Sequence, residues 1–222
     1  MSETSPASVV PDDAPGLGEH ADGPDRLVAL SDGIFAIAMT ILVLNISVPS
    51  GLGRADFRHA LHDTWSQLGA YALSFAVIGG RWRDHRRVFQ LIGRTDGTVV
   101  HLCLALLGAV ALLPFPTALV ADYGGSEPLA VTYYAVVVGA INLLLLALFL
   151  RAWRRPALQA RPIPERLARG TIVDFGAASL IAVAAIVVAF AVSPGAGLLT
   201  WLAAFPAGVA ARRLRGEDAF SD

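Results

Sequence analysis

The chain has 222 residues, of which 55% are hydrophobic and 16% charged, and its formal net charge is -1. Its mean hydropathy is +0.59, and a soluble domain of this size usually carries about 25% charged residues. All 17 basic residues are arginine, spaced between apolar runs rather than along one face, which argues against nucleic-acid binding.

Residues 1–25 contain six acids, several Pro and Gly, and no Arg or Lys. They lack the basic start and apolar core of a secretory signal and read as a disordered acidic tail. The first apolar run is Leu27 to Val48, stopped by Pro49-Ser50-Gly51. It is long enough to cross a bilayer, yet Ser31 and Asp32 lie inside its first turns. An ionisable group at that depth needs a polar partner or water, so the pair is expected to be a buried hydrogen-bonding anchor. The competing reading, an N-cap at Ser31-Asp32, leaves Ile34 to Val48, too short to cross comfortably.

On a wheel of roughly 100° per residue, Gly33, Ile37, Thr40, Ile41 and Leu44 form one stripe. Ser31 and Asp32 point away from it, by roughly 120° and 140° on the same wheel. The stripe suits either pore lining or ordinary packing against lipid and neighbouring helices. If it lines a pore, Asp32 is outside the ion path. If Asp32 is itself the ion site, Ile37 and Leu44 are packing residues.

The following segment, Arg54 to Trp65, reads as a short amphipathic helix on the outer surface. His59 and His62 within it have a spacing that a metal can use, but they are expected to be two solvated loop histidines. The second span runs from Trp65 to Trp82, the third from Val99 to Val120, the fourth from Leu129 to Leu150 and the fifth from Thr171 to Val192. The sixth, Leu198 to Leu214, is short and contains Pro206; residues 216–222 form a brief second tail. Pro114 and Pro116 are positioned to break span three. Cys103 is the sole cysteine, with no zinc spacing, and is expected simply to pack.

Six spans place 15 arginines on one side and only Arg54 and Arg58 on the other. The positive-inside rule then puts both termini in the cytoplasm. The fold class is therefore an all-α polytopic membrane protein, with a six-helix domain over residues 26–215. At the arginine-rich end of span two, Trp82, Asp84 and His85, with Arg81 and Arg83 beside them, are candidate partners for Asp32. Trp and His can donate hydrogen bonds to a carboxylate, although Trp82 also suits an interfacial belt.

Arg26, three residues, then Leu30-Ser31-Asp32-Gly33 and Ile34 to Thr40 resembles the first-helix signature of the transmembrane protein 175 family of potassium channels. The resemblance continues through Leu73-Ser74-Phe75, through Trp82 to His85-Arg86, and through Leu113-Pro114-Phe115-Pro116-Thr117. It covers roughly the first half of the chain; the later spans match in number and placement. The resemblance implies a homotetramer in the bacterial plasma membrane that conducts potassium without a carbonyl filter loop. It implies a pore lined by the first helix, with Ile37, Ile41 and Leu44 as apolar constriction and Thr40 as a polar layer. It also implies an interhelical network of Arg26, Ser31, Asp32, Trp82 and His85. No cofactor is implied, and no metal beyond the permeating potassium.

Three positions depart from the family pattern. Leu30 replaces the usual Phe. Asp84 stands where Asn is common, adding a carboxylate near Asp32 for Arg26, Arg81 or a protonated His85 to compensate. Asn45 stands where an acid is frequent, which should weaken cation attraction at the outer mouth. The alternative function is a proton-coupled secondary transporter using Asp32 and His85, with His101 and Asp174 completing a relay. Such a carrier would normally show an internal repeat, and the Gly-Pro interruptions do not recur symmetrically. An intramembrane enzyme is disfavoured by the absence of a zinc, nucleophile-elbow or phosphate-loop motif. A purely structural membrane subunit is the remaining class.

Overall fold

The computed structural model describes residues 23–48 and 50–200. Helix α1 is Pro24–Ile41, continued by a 3-10 turn at Leu42–Asn45; α2 is Arg54–Phe89, α3 Gly97–Leu112, α4 Pro114–Tyr123, α5 Pro128–Arg154 and α6 Glu165–Ala191. Among the described residues there is no strand, only one isolated antiparallel bridge between Ile92 and Gln159. Most of the predicted sixth span, residues 1–22 of the predicted N-terminal tail and the whole predicted C-terminal tail lie outside the described residues.

The helix starts follow local chemistry. Pro24, Pro114 and Pro128 open α1, α4 and α5, where a missing amide costs nothing and φ is already set. Asp96 caps α3 by accepting the Val99 amide at 2.9 Å. Gly51, at φ 78°, makes the turn after the first helix in a conformation that glycine accepts readily.

Among the described residues, four helical segments are long and apolar enough to cross a membrane: Pro24–Asn45, Gly97–Tyr123, Pro128–Arg154 and Glu165–Ala191. Helix α2 is longer than any of them, at 36 residues, but polar at both ends. The sequence suggested a separate amphipathic helix followed by a span; the two are one continuous helix, since no Pro or Gly interrupts Arg54 to Leu68. The third span is split between α3 and α4. Pro114 has no amide to offer the Val110 carbonyl, which takes the Leu113 amide instead, at 3.1 Å.

Helix α1 packs on α2 and α3, α2 packs on α4, and α5 lies against α3, α4 and α6. The α5–α6 contact uses small residues: a Cβ on Gly139 would sit 3.6 Å from the Ala182 side chain, and Ala182, Ala185 and Ala189 are buried. Small side chains let the backbones approach closely, which membrane helices exploit. Phe35, Ile78, Leu106, Tyr134 and Phe149 fill the centre of the core.

Candidate functional site

Helix α1 has two faces with opposite fates. Ser31, Phe35, Ala38 and Leu42, spaced four, three and four apart, are buried against α2 and α3. Across the helix, Ile37 is 58% exposed, Ile41 41% and Leu44 75%, and Thr40 is exposed too. Adjacent residues on a helix diverge by about 100°, so burying the first set turns the second away from the chain's own core. Ile37 and Ile41 edge a shallow apolar hollow of about 140 Å³ that reaches Ala111 on α3. The Thr40 hydroxyl donates to the Ile37 carbonyl at 2.8 Å, which leaves its oxygen able to accept. Leu44 lies in the 3-10 turn rather than in the α-helix.

Because α1 starts at Pro24, Ser31 and Asp32 lie in its second turn or later, not at an N-cap. The two side chains then go separate ways. Ser31 is fully buried, donates to the Leu27 carbonyl at 2.6 Å and meets the Cys103 sulfur of α3 at 3.6 Å. Asp32 is only partly covered, with 39% of its side chain exposed. Its Oδ1 accepts the Trp82 indole N–H at 2.8 Å and its Oδ2 accepts an Arg86 guanidinium N–H at 3.2 Å.

Arg86 is the partner that sequence reasoning missed. Trp82 and Arg86 are four apart and share one face of α2, whereas His85 faces the interior. His85 is fully buried, its Nε2 lies 3.9 Å from the Cys103 sulfur, and its ring packs between Phe35 and Phe89 at centroid distances of 5.7 and 4.4 Å. Cys103 therefore sits between Ser31 and His85 rather than merely filling space. Arg26 lies beside Thr95, Asp96 and Gly97 around a cleft of about 360 Å³.

Asp84 and Asp32 have different partners. Asp84 is paired with Arg81 at 3.0 Å, and Arg81 also donates to the Asn142 side-chain oxygen on α5. Arg151 on α5 holds Asp96 through Nε at 3.1 Å and through a second guanidinium nitrogen. The Val99 amide, foremost, and then Arg151 hold the Asp96 carboxyl below the usual carboxylate range. Deeper in the bundle, the Ser74 and Thr117 hydroxyls meet at 2.8 Å and Ser74 reaches the Tyr134 hydroxyl at 3.3 Å. Asn45 donates to the Pro114 carbonyl at 3.2 Å, so its amide is tied to the α3–α4 break. His101 bonds the carbonyl of Gly97 in its own helix and is exposed. The side chains of His59 and His62 lie outside those described.

An all-helical bundle with spanning helices, whose first helix buries a serine and leaves an apolar stripe uncovered, defines a membrane-embedded protein rather than a soluble catalyst. Residues 26–114 match the family described as the endosomal/lysosomal potassium channel TMEM175. A potassium channel of Streptomyces collinus is 37% identical over 158 residues, covering 70% of this chain and 77% of its own length. A potassium channel of Chamaesiphon minutus is 36% identical over 148 residues, covering 65% and 71% respectively. The crystal structure of a lysosomal potassium-selective channel TMEM175 homolog from Chamaesiphon minutus superposes with a TM-score of 0.71 at 28% identity, over 84% of this chain and 96% of that one. The human endosomal/lysosomal proton channel TMEM175 is 25% identical over 126 residues, only 25% of its length. The chain belongs to the TMEM175 family, whose members are named as ion channels, not enzymes.

Proposed function

We propose that the chain is a potassium-preferring channel of a bacterial plasma membrane, built as a homotetramer around four copies of α1. Each copy crosses the membrane six times through residues 26–215, with α2 as the second span and both termini cytoplasmic. The observation that carries this reading is the uncovered stripe of Ile37, Ile41 and Leu44, opposite the anchored face of Ser31, Phe35, Ala38 and Leu42. Among the described residues, the chain's own helices leave that stripe uncovered. A ring of four identical copies closes by symmetry and sets the stripes facing one another.

In such a ring the constriction is dry and narrow. Ile37 and Leu44 are about 10 Å apart along the axis, so several apolar layers stack in series. A constriction of this kind gates by excluding water, because an ion that cannot keep or replace its hydration does not pass. A slight widening admits water and ion together. The exposed Thr40 hydroxyl supplies the one polar layer, next to Ile37. Asp32, held by Trp82 and Arg86, keeps α1 in register with α2 and stays out of the ion path. The names of the two bacterial relatives support potassium as the permeant ion.

The test is flux from liposomes containing the purified protein, with potassium, sodium and proton gradients compared. The reading expects potassium to move down its own gradient faster than sodium and without a coupled proton. Fixed potassium–proton stoichiometry would favour the carrier, and dominant proton flux would place the chain beside its human relative, which is named a proton channel.

A further inference from the structure

We propose that the loops at residues 90–96 and 155–164, with Arg154 at the end of α5, form one platform whose arginines bind the headgroup of an anionic phospholipid. The loops are clasped backbone to backbone. Leu158 accepts the amides of Gly93 and Arg94 at 2.8 and 3.3 Å, and the Ala160 amide donates to the Leu91 carbonyl at 3.0 Å. Leu91, Ile92 and Leu158 are buried beneath the clasp. Gln159 turns its amide onto the Ala152 and Trp153 carbonyls at 3.1 and 3.0 Å, sealing the end of α5.

The clasp gathers cations that are far apart in sequence. The Arg94 amide meets Leu158, whose own amide meets the Arg155 carbonyl at 2.9 Å, so the two arginine backbones are linked through one residue. Arg94, Arg154, Arg155 and Arg161 are all exposed around it. Nearby acids are already engaged: Asp84 pairs with Arg81, Asp96 with Arg151 and Glu165 with Arg169. Among the described residues, no ion pair takes Arg94, Arg154 or Arg155.

Position supplies the ligand class. The platform joins the start of Gly97–Tyr123, the end of Pro128–Arg154 and the start of Glu165–Ala191, each a segment apolar enough to span a membrane. It therefore sits where hydrocarbon gives way to headgroups, and guanidinium groups bind phosphate oxygens in a two-pronged fashion. A topological charge bias alone needs arginines in the loops; it does not need the loops locked together. Basic clusters at this level recognise anionic lipids.

The experiment is thermal unfolding of the purified protein in neutral detergent, with phosphatidylglycerol or phosphatidylcholine added at equal mole fraction. Phosphatidylglycerol should raise the melting temperature by roughly 3 °C or more beyond phosphatidylcholine, and high salt should shrink the difference. The triple variant Arg94→Gln/Arg154→Gln/Arg155→Gln should lose at least about half of that difference; if it does not fold, Arg94→Gln and Arg155→Gln singly should each lose a part. Equal shifts with both lipids, an undiminished shift in the variants, or the same shift with inorganic phosphate alone would overturn the proposal. The readout does not pass through conduction, so its failure is separable from failure of the channel reading.

Discussion

Trp82 donates its indole N–H to Asp32 Oδ1 at 2.8 Å, joining α2 to α1 fifty residues earlier in the chain. With Arg86 on the other oxygen, the carboxylate has both lone-pair edges occupied from one helix face. This makes Asp32 a fastener between helices. Asp32→Ala should cost about 1–2 kcal/mol, discounted for partial exposure, and should reduce assembly on size-exclusion chromatography. Flux per assembled channel should change far less. A well-assembled variant that no longer conducts would instead make Asp32 an ion site.

The Ser74–Thr117–Tyr134 cluster ties α2, α4 and α5 through hydroxyls in a buried, apolar surround. Ser74→Ala leaves the Tyr134 hydroxyl without that partner, whereas Thr117 keeps its bond to the Leu113 carbonyl at 2.9 Å. A loss of about 1–3 kcal/mol is expected, read by thermal unfolding in detergent. Near-neutral behaviour would mean that a water replaces the serine.

Asp96 supplies a pH dependence. Its carboxyl is held below the ordinary range by the Val99 amide and by Arg151. A depressed folded-state value means that the stabilisation is complete above the unfolded value, about 3.9, and is lost as pH falls through the folded value. Asp96→Asn keeps an acceptor for the Val99 amide but loses the ion pair. It should melt below the wild type at pH 6, and the gap should close as pH falls toward about 3. A gap that widens on acidification would contradict the assignment.

Gly93 sits where the clasp permits no side chain: a Cβ there would lie 2.8 Å from Ala160 Cα and 3.1 Å from its nitrogen. Gly93→Ala should destabilise by about 1–3 kcal/mol through a forced backbone shift, and amide exchange should quicken at Ala160 and Arg94. Unchanged exchange would show that the loops part without cost.

Much of this arrangement was legible in the chain, and the misses have identifiable causes. Apolar length and Pro positions located the described helices, including the break before Pro114, because a missing amide acts locally. The merger of the outer amphipathic segment with α2 was not read, since a change in polarity looked like a change in element. The divergence of Ser31 and Asp32 from the Ile37 stripe follows from helical geometry alone. Which neighbour each meets depends on tertiary placement. Arg86 could have been found from its four-residue spacing to Trp82; the adjacent His85 drew attention although it lies on another face. The bond from Asn45 to the Pro114 carbonyl has no local signal, because it joins residues 69 apart in the chain. The Arg94–Arg155 neighbourhood has no local signal, because it is made by a clasp between loops some sixty residues apart.

The most direct measurement of the central claim is ion flux through Ile37→Asn in purified liposomes, against the wild type and at matched protein density. A polar side chain in a dry constriction should ease hydration. The account predicts greater potassium flux and a smaller preference for potassium over sodium. Unchanged flux and unchanged preference, in a variant that assembles normally, would mean that the exposed stripe of α1 faces lipid and that the ion passes elsewhere.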